Sequence, residues 1–223
     1  MHVLVLFVLT SFLFATPAEA GAWMREKGKV FNAVSSTIRK DPGTGRYHYD
    51  SSVYIEWGAA PKFTLGFDSY ENFSSSGHIL IFGRVPLSAP DAQHKFAFQL
   101  GVGAYRWLQD WQPLYRTTLS YGTSFQNRFG DAWLSVDAAV ETRRGASQPL
   151  YKLDATFGIT HSPRIKSLIS FESAYTRSAP VSWTIGPAMT ISAGKLGHIF
   201  GGVQFRNSNT ARIGLKIGLW REF

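Results

Sequence analysis

The stretch Ala211-Arg-Ile-Gly-Leu-Lys-Ile-Gly-Leu-Trp-Arg-Glu-Phe223 decides the fold. Ile213, Leu215, Ile217, Leu219 and Phe223 fall on one face, and Arg212, Gly214, Lys216 and Gly218 on the other. Alternation with period two over this length predicts a single β-strand with an apolar and a polar face. Such a strand fits two environments. In a small soluble barrel or sandwich its apolar face points inward. In a membrane barrel that face meets lipid, and the polar face lines the interior.

The chain stops on the aromatic Phe223, with apolar residues four, six, eight and ten positions before it (Leu219, Ile217, Leu215, Ile213). In this it resembles the last strand of Gram-negative outer-membrane β-barrel proteins, which the barrel-assembly machinery reads. It departs at Arg221, where many members are apolar. The resemblance implies a transmembrane antiparallel up-and-down barrel with Phe223, Leu219, Ile217 and Leu215 as its assembly signal. It also implies outer-membrane lipid, lipopolysaccharide and the assembly machinery as partners.

The other end of the chain supports export. Val3 to Phe14 is an apolar run of about a dozen residues, followed by Ala15-Thr-Pro-Ala-Glu-Ala20 and Gly21. That run and the Ala18-x-Ala20 site read as a secretory signal peptide, 1–20, although Met1-His2 carries no Lys or Arg. It is too short for a spanning helix, which needs about 20 residues. Cleavage is expected after Ala20, leaving 21–223 as one barrel domain. The opening Gly21-Ala-Trp23, ahead of Lys27-Gly-Lys29, is similar to that of uncharacterised proteobacterial barrel proteins.

Composition narrows the chemistry. The chain has no cysteine, which removes disulfides, thiolate catalysis and cysteine metal sites. Aromatics make up 15% of the residues, and 21 glycines punctuate them. The formal charge of +8 comes from scattered Lys and Arg without a basic block. In an exported chain this fits membrane phosphates, not nucleic acid.

Between the ends, strand-like runs alternate with short segments rich in Gly, Pro, Asn, Asp and Ser. Tyr47 to Gly58 sets Tyr47, Tyr49, Val53, Ile55 and Trp57 against His48, Asp50, Ser52, Tyr54 and Glu56. Phe96–Tyr105, Ala132–Thr142 and Tyr151–Thr160 alternate as clearly. Fainter runs cover Lys29–Arg39, Phe63–Tyr70, His78–Val85, Tyr115–Phe125, Ser167–Tyr175, Trp183–Ser192 and His198–Asn207. With the terminal strand the count is about twelve, roughly 17 residues for each strand and its connection, which suits tilted membrane strands. Leu80 and Phe82 oppose Ile79 and Ile81, so a bulge or register error there would reduce the number to ten. No connection exceeds about ten residues, so no long loop is expected to fold inward as a plug. Aromatic residues end several strands (Tyr47, Trp57, Tyr115, Phe125, Trp183, Phe223), which suits interfacial girdles and favours the membrane environment.

The shared phase assigns an interior. Its acids are Asp50, Glu56, Asp68, Asp137, Glu141, Asp154 and Glu172, and its bases Arg84, Arg116, Lys152, Arg206, Arg212 and Lys216. Strands seven to nine contribute mostly acids and the last two only bases, which predicts a field across the lumen. Two outcomes stay open. The charges border an open pore, for which the inner glycines Gly66, Gly101, Gly103, Gly214 and Gly218 leave room; or they pair and close it, because an unpaired buried charge is costly.

Catalysis finds no clear support. No His has Ser two residues after it, the pattern of barrel lipases and lipid A deacylases. His48-x-Asp50-x-Ser52 contains a base, an acid and a hydroxyl, sufficient in kind for nucleophilic catalysis, but ordered with the Asp between the other two. There is no HxH, HExxH or calcium loop, and no cofactor is expected. The sequence therefore points to a narrow passive channel for small polar or charged solutes. A non-conducting barrel that serves an envelope or secretion complex, and a lipid-modifying enzyme using the His48 cluster, are the alternatives.

Overall fold

Alternation becomes pairing between Val30 and Glu222. The computed structural model describes residues 21–72, 76–208 and 210–223; the signal-peptide reading of 1–20 lies outside them. Twelve strands follow one another: β1 (Val30–Lys40), β2 (Tyr47–Ala60), β3 (Phe63–Asn72), β4 (Ser76–Pro86), β5 (His94–Trp107) and β6 (Asp110–Asn127), then β7 (Gly130–Arg143), β8 (Leu150–Ser162), β9 (Ile165–Thr176), β10 (Ala179–Ser192), β11 (His198–Arg206) and β12 (Ile213–Glu222). Each pairs antiparallel with its sequence neighbours, and β1 closes the sheet on β12 through a register running from Phe31↔Glu222 to Arg39↔Gly214. Closure leaves no unpaired edge, which hydrocarbon would penalise heavily.

The ambiguous segment around Leu80 is a regular strand. β4 keeps an unbroken register with β3 and β5, and the count is twelve. Its parity places Leu80 and Phe82 inside, where they are 1% and 2% exposed. The β5–β6 connection is short. Trp107 pairs directly with Asp110, and a two-residue turn with Leu108 at φ 57° joins β5 to β6.

Polarity settles which environment the barrel suits. Ile81, Leu100, Val102, Leu215 and Ile217 stand outside, 57–63% exposed, whereas Glu56, Glu141 and Arg84 are at most 2% exposed within. A barrel in water would reverse this, since apolar burial stabilises by about 25 cal/mol per Å² and buried charge costs several kcal/mol. The wall is therefore built to face lipid, and the interior is polar. Tyr47, Tyr49, Tyr115, Tyr151, Tyr175 and Trp183 ring one rim from outside, and Trp57, Phe63, Phe96, Phe125 and Phe223 ring the other, where β1 begins and β12 ends.

Candidate functional site

Three arginine-centred knots organise the lumen. In the half nearest the termini, Glu56 accepts hydrogen bonds from Arg25 Nε at 2.6 Å, from Tyr54 Oη at 2.6 Å and from Arg84 Nη1. Arg84 Nη2 also donates to Tyr54 Oη and Gln99 Oε1, each at 2.9 Å. Farther up, Arg116 donates to Glu141 at 2.8 Å and Asp68 at 2.5 Å, with His78 against Asp68 at 3.0 Å and Arg143 on Glu141 at 2.6 Å. Near the far rim, Arg39 bonds Asp50 and Gln204, and Asn72 donates to Asp50 at 2.7 Å. Fixed, multiply satisfied arginines of this kind rigidify a wall.

Residues 21–29 enter the same space. Gly28 donates to Gly58 O at 2.7 Å, and Lys29 to Glu26 O at 3.0 Å, so the chain reverses at the barrel mouth with Gly28 at φ +86°. Arg25 then reaches Glu56, Thr64 and Glu222, on β2, β3 and β12. Trp23 lies over Gly122 of β6, where a Cβ would be 2.6 Å from its ring. At Gly21 a Cβ would lie 2.1 Å from Ser135 Oγ of β7. This N-terminal arm thus spans the lumen from the β2–β3 wall to the β6–β7 wall. The connecting loops are short, as expected, but the arm does what no loop does. Its nine residues lack periodicity, so sequence reading had no signal by which to place them.

The inner glycines leave no open space at this level, correcting the expectation drawn from them. A Cβ on Gly66 would be 2.0 Å from Phe82 Cζ, one on Gly101 2.8 Å from Leu80, and one on Gly218 2.3 Å from Phe200. A Cβ on Gly214 would meet Thr37 and Arg39 at 2.8 Å, and one on Gly103 would run into the backbone of Ile79 at 1.9 Å. The absent side chains make room for large neighbours and for close strand contact.

Space remains above and beside the arm. A cavity of about 620 Å³ fills the half away from the termini, lined by eight Lys or Arg and six Asp or Glu side chains. A second cavity of about 200 Å³ lies toward the terminal end, along Ser170, Gly186, Ala188 and Gly202 of β9 to β11. The two share Ser35, Ser52, Tyr54, Glu172, Gln204 and Lys216.

Of the residues assigned to the interior, Asp50, Asp68, Arg84, Arg116, Asp137, Glu141, Lys152, Asp154, Glu172, Arg206 and Lys216 line the larger cavity. Glu56 faces inward but is fully enclosed by its partners. Arg212 does not face the lumen. Ala211, at φ 48°, breaks the strand phase before β12, and Arg212 is exposed in the loop, with Nε donating to Ser208 O at 2.9 Å. Gln99, on the polar face of its strand, also lines the cavity, as do Arg39, Tyr70, His78 and Arg143, which escaped the sequence reading. Arg39 was legible, since it shares parity with Ser35 and Thr37. Phe223, Leu219, Ile217 and Leu215 lie in or just beyond β12, which closes the barrel on β1.

Two members of the His48 constellation have other partners. Asp50 is held by Arg39 and Asn72, and Ser52 Oγ pairs with Ser35 Oγ at 2.7 Å. No group of metal-ligating side chains occurs among the described residues.

No protein-family description matches the chain, and no curated protein matches it. Solved structures do. The COG4313 outer membrane channel from Pseudomonas putida F1 superposes with a TM-score of 0.64 at 9% identity, over 93% of this chain and 99% of that one. A KdgM porin gives 0.58 at 13% identity, over 86% and 99%. The β domain of the Bordetella autotransporter BrkA gives 0.52 at 12% identity, over 89% and 100%. The chain is thus a closed twelve-stranded antiparallel barrel similar in fold to outer-membrane porins and channels.

Proposed function

We propose that the protein is a narrow passive channel of the bacterial outer membrane for small polar or charged solutes. The observation that carries this reading is a charged cavity of about 620 Å³ inside a barrel whose outer wall is apolar. A solute entering from the loop-rich rim meets paired side chains on most of the wall, so it is not immobilised by bare charges. Among the described residues Arg206 and Lys216 have no carboxylate within 4.0 Å, and Glu172 has no cation within that distance. These groups, on β11, β12 and β9, set a local field across the wider part of the lumen. The path continues beside the arm along the small side chains of β9 to β11, which limits its width. Selection is by size first and by charge second, with eight basic lining groups against six acidic ones favouring anions slightly.

The filled terminal half favours a second reading, a non-conducting barrel that serves an envelope complex. Liposome swelling distinguishes the two. Vesicles carrying the folded protein should swell in small zwitterions and monocarboxylates and not in large sugars. Swelling in none of them, with the barrel shown to be folded, would select the non-conducting reading.

A further inference from the structure

Cross-strand register puts three carboxylates in one row: Asp137 on β7 opposes Asp154 on β8, which opposes Glu172 on β9. Like charges directly opposite one another destabilise a sheet. The cations nearest Asp137 and Asp154 are already engaged. Lys152 Nζ is 3.6 Å from Asp154 Oδ2, and Arg84 is engaged by Glu56, Tyr54 and Gln99. Asp137 Oδ1 and Asp154 Oδ1 are shut off from water without a well-formed hydrogen bond from any described residue. A row of this kind calls for one more positive charge.

Gly21 is buried at that place. A Cβ on it would lie 3.5 Å from Asp137 Oδ1 and 2.1 Å from Ser135 Oγ, and its nitrogen is one bond from the same Cα. We infer that processing after Ala20 sets the new α-ammonium of Gly21 beside Asp137, supplying the missing cation and fastening the arm across the lumen. Hydrolysis of the Ala20–Gly21 peptide bond consumes one water. It leaves a carboxylate on Ala20, which departs with the leader, and an ammonium on Gly21. The uncut peptide nitrogen carries no charge, so the seat is completed only in the processed protein. Glycine suits the position because any Cβ would strike Ser135 Oγ. The inference rests on the signal-peptide reading of residues 1–20 and not on whether the lumen conducts.

The test uses protein exported and processed by cells and purified folded. Mass spectrometry of the N-terminal peptide reads where the chain starts, and reductive dimethylation reads how available its α-amine is. The expected start is Gly21, with dimethylation about tenfold slower in the folded protein than in urea, the ratio that one pK unit of ion pairing produces. Asp137→Asn should remove most of that protection while Glu172→Gln, farther along the row, leaves it. If Asp137→Asn does not fold, a refolded chain carrying one extra alanine before Gly21 serves instead and should also lose protection. A start other than Gly21, or equal reactivity folded and unfolded, overturns the inference. Failure to swell liposomes would count against the channel and leave this result standing.

Discussion

Replacing Glu56 by Gln should be among the most damaging single changes in the lumen. Its carboxylate is fully enclosed and accepts from Arg25, Arg84 and Tyr54. Glutamine keeps the volume but removes the charge and turns an NH₂ toward these donors. Removing one partner of a buried ion pair costs about 3–5 kcal/mol. Arg84 would keep Tyr54 and Gln99, and Arg25 would keep its longer reach of 3.4 Å to Glu222. The lower end therefore applies, about 3 kcal/mol, or roughly 150-fold in the unfolding constant. Tryptophan fluorescence during urea unfolding in detergent micelles measures it, with Glu172→Gln as the comparison because Glu172 is exposed to the cavity and has no such pairing. A loss below about 0.5 kcal/mol, within the range of ordinary surface changes, would refute the reasoning.

Other expectations follow from the same geometry. Gly66→Ala should destabilise by about 1–3 kcal/mol, because its Cβ would meet Phe82 at 2.0 Å. Adding Phe82→Ala to that variant should cost less than the two single changes together, as a double-mutant cycle will show. Lys216→Glu, at a residue bordering both cavities, should move the reversal potential in a salt gradient toward cation preference. Gly28→Val should strain the φ +86° turn that sends the arm inward, and limited proteolysis should then cut within residues 21–29 faster than in the parent. In the rim loop, the Gly43 amide donates to Asp41 Oδ1 at 2.9 Å and Thr44 Oγ1 to Oδ2 at 3.0 Å, which holds the Asp41 carboxyl below its ordinary value. Its support for the loop is therefore present above the ordinary carboxylate range and lost as pH falls through the lowered value, which exchange of the Gly43 amide will report.

Period-two alternation carried most of the architecture. Strict segments such as Tyr47–Gly58 and the terminal strand have one apolar and one polar face, so parity alone placed Asp50, Glu56 and Lys216 inside. Alternation failed where the interior is itself apolar. Leu80 and Phe82 look like a phase error, yet they fill space left by Gly101 and Gly66 on neighbouring strands, a pairing visible only once the register is known. Arg212 failed for the opposite reason: a left-handed Ala211 resets the phase two residues before the strand starts. The arm was beyond reach because nine aperiodic residues say nothing about where they fold. Its anchors lie 31 and 39 positions away from Arg25, in Glu56 and Thr64.

Planar-bilayer recording of the purified, refolded protein beside a variant lacking residues 21–28 tests the central claim most directly. The account predicts small, discrete currents from the parent, because the arm and the Glu56 knot fill one side of the lumen. Removal of the arm should enlarge the conductance without changing the barrel's heat-modifiable migration. Silence from both folded proteins at every voltage would contradict a conducting lumen, and equal conductance from both would contradict the arm as its constriction.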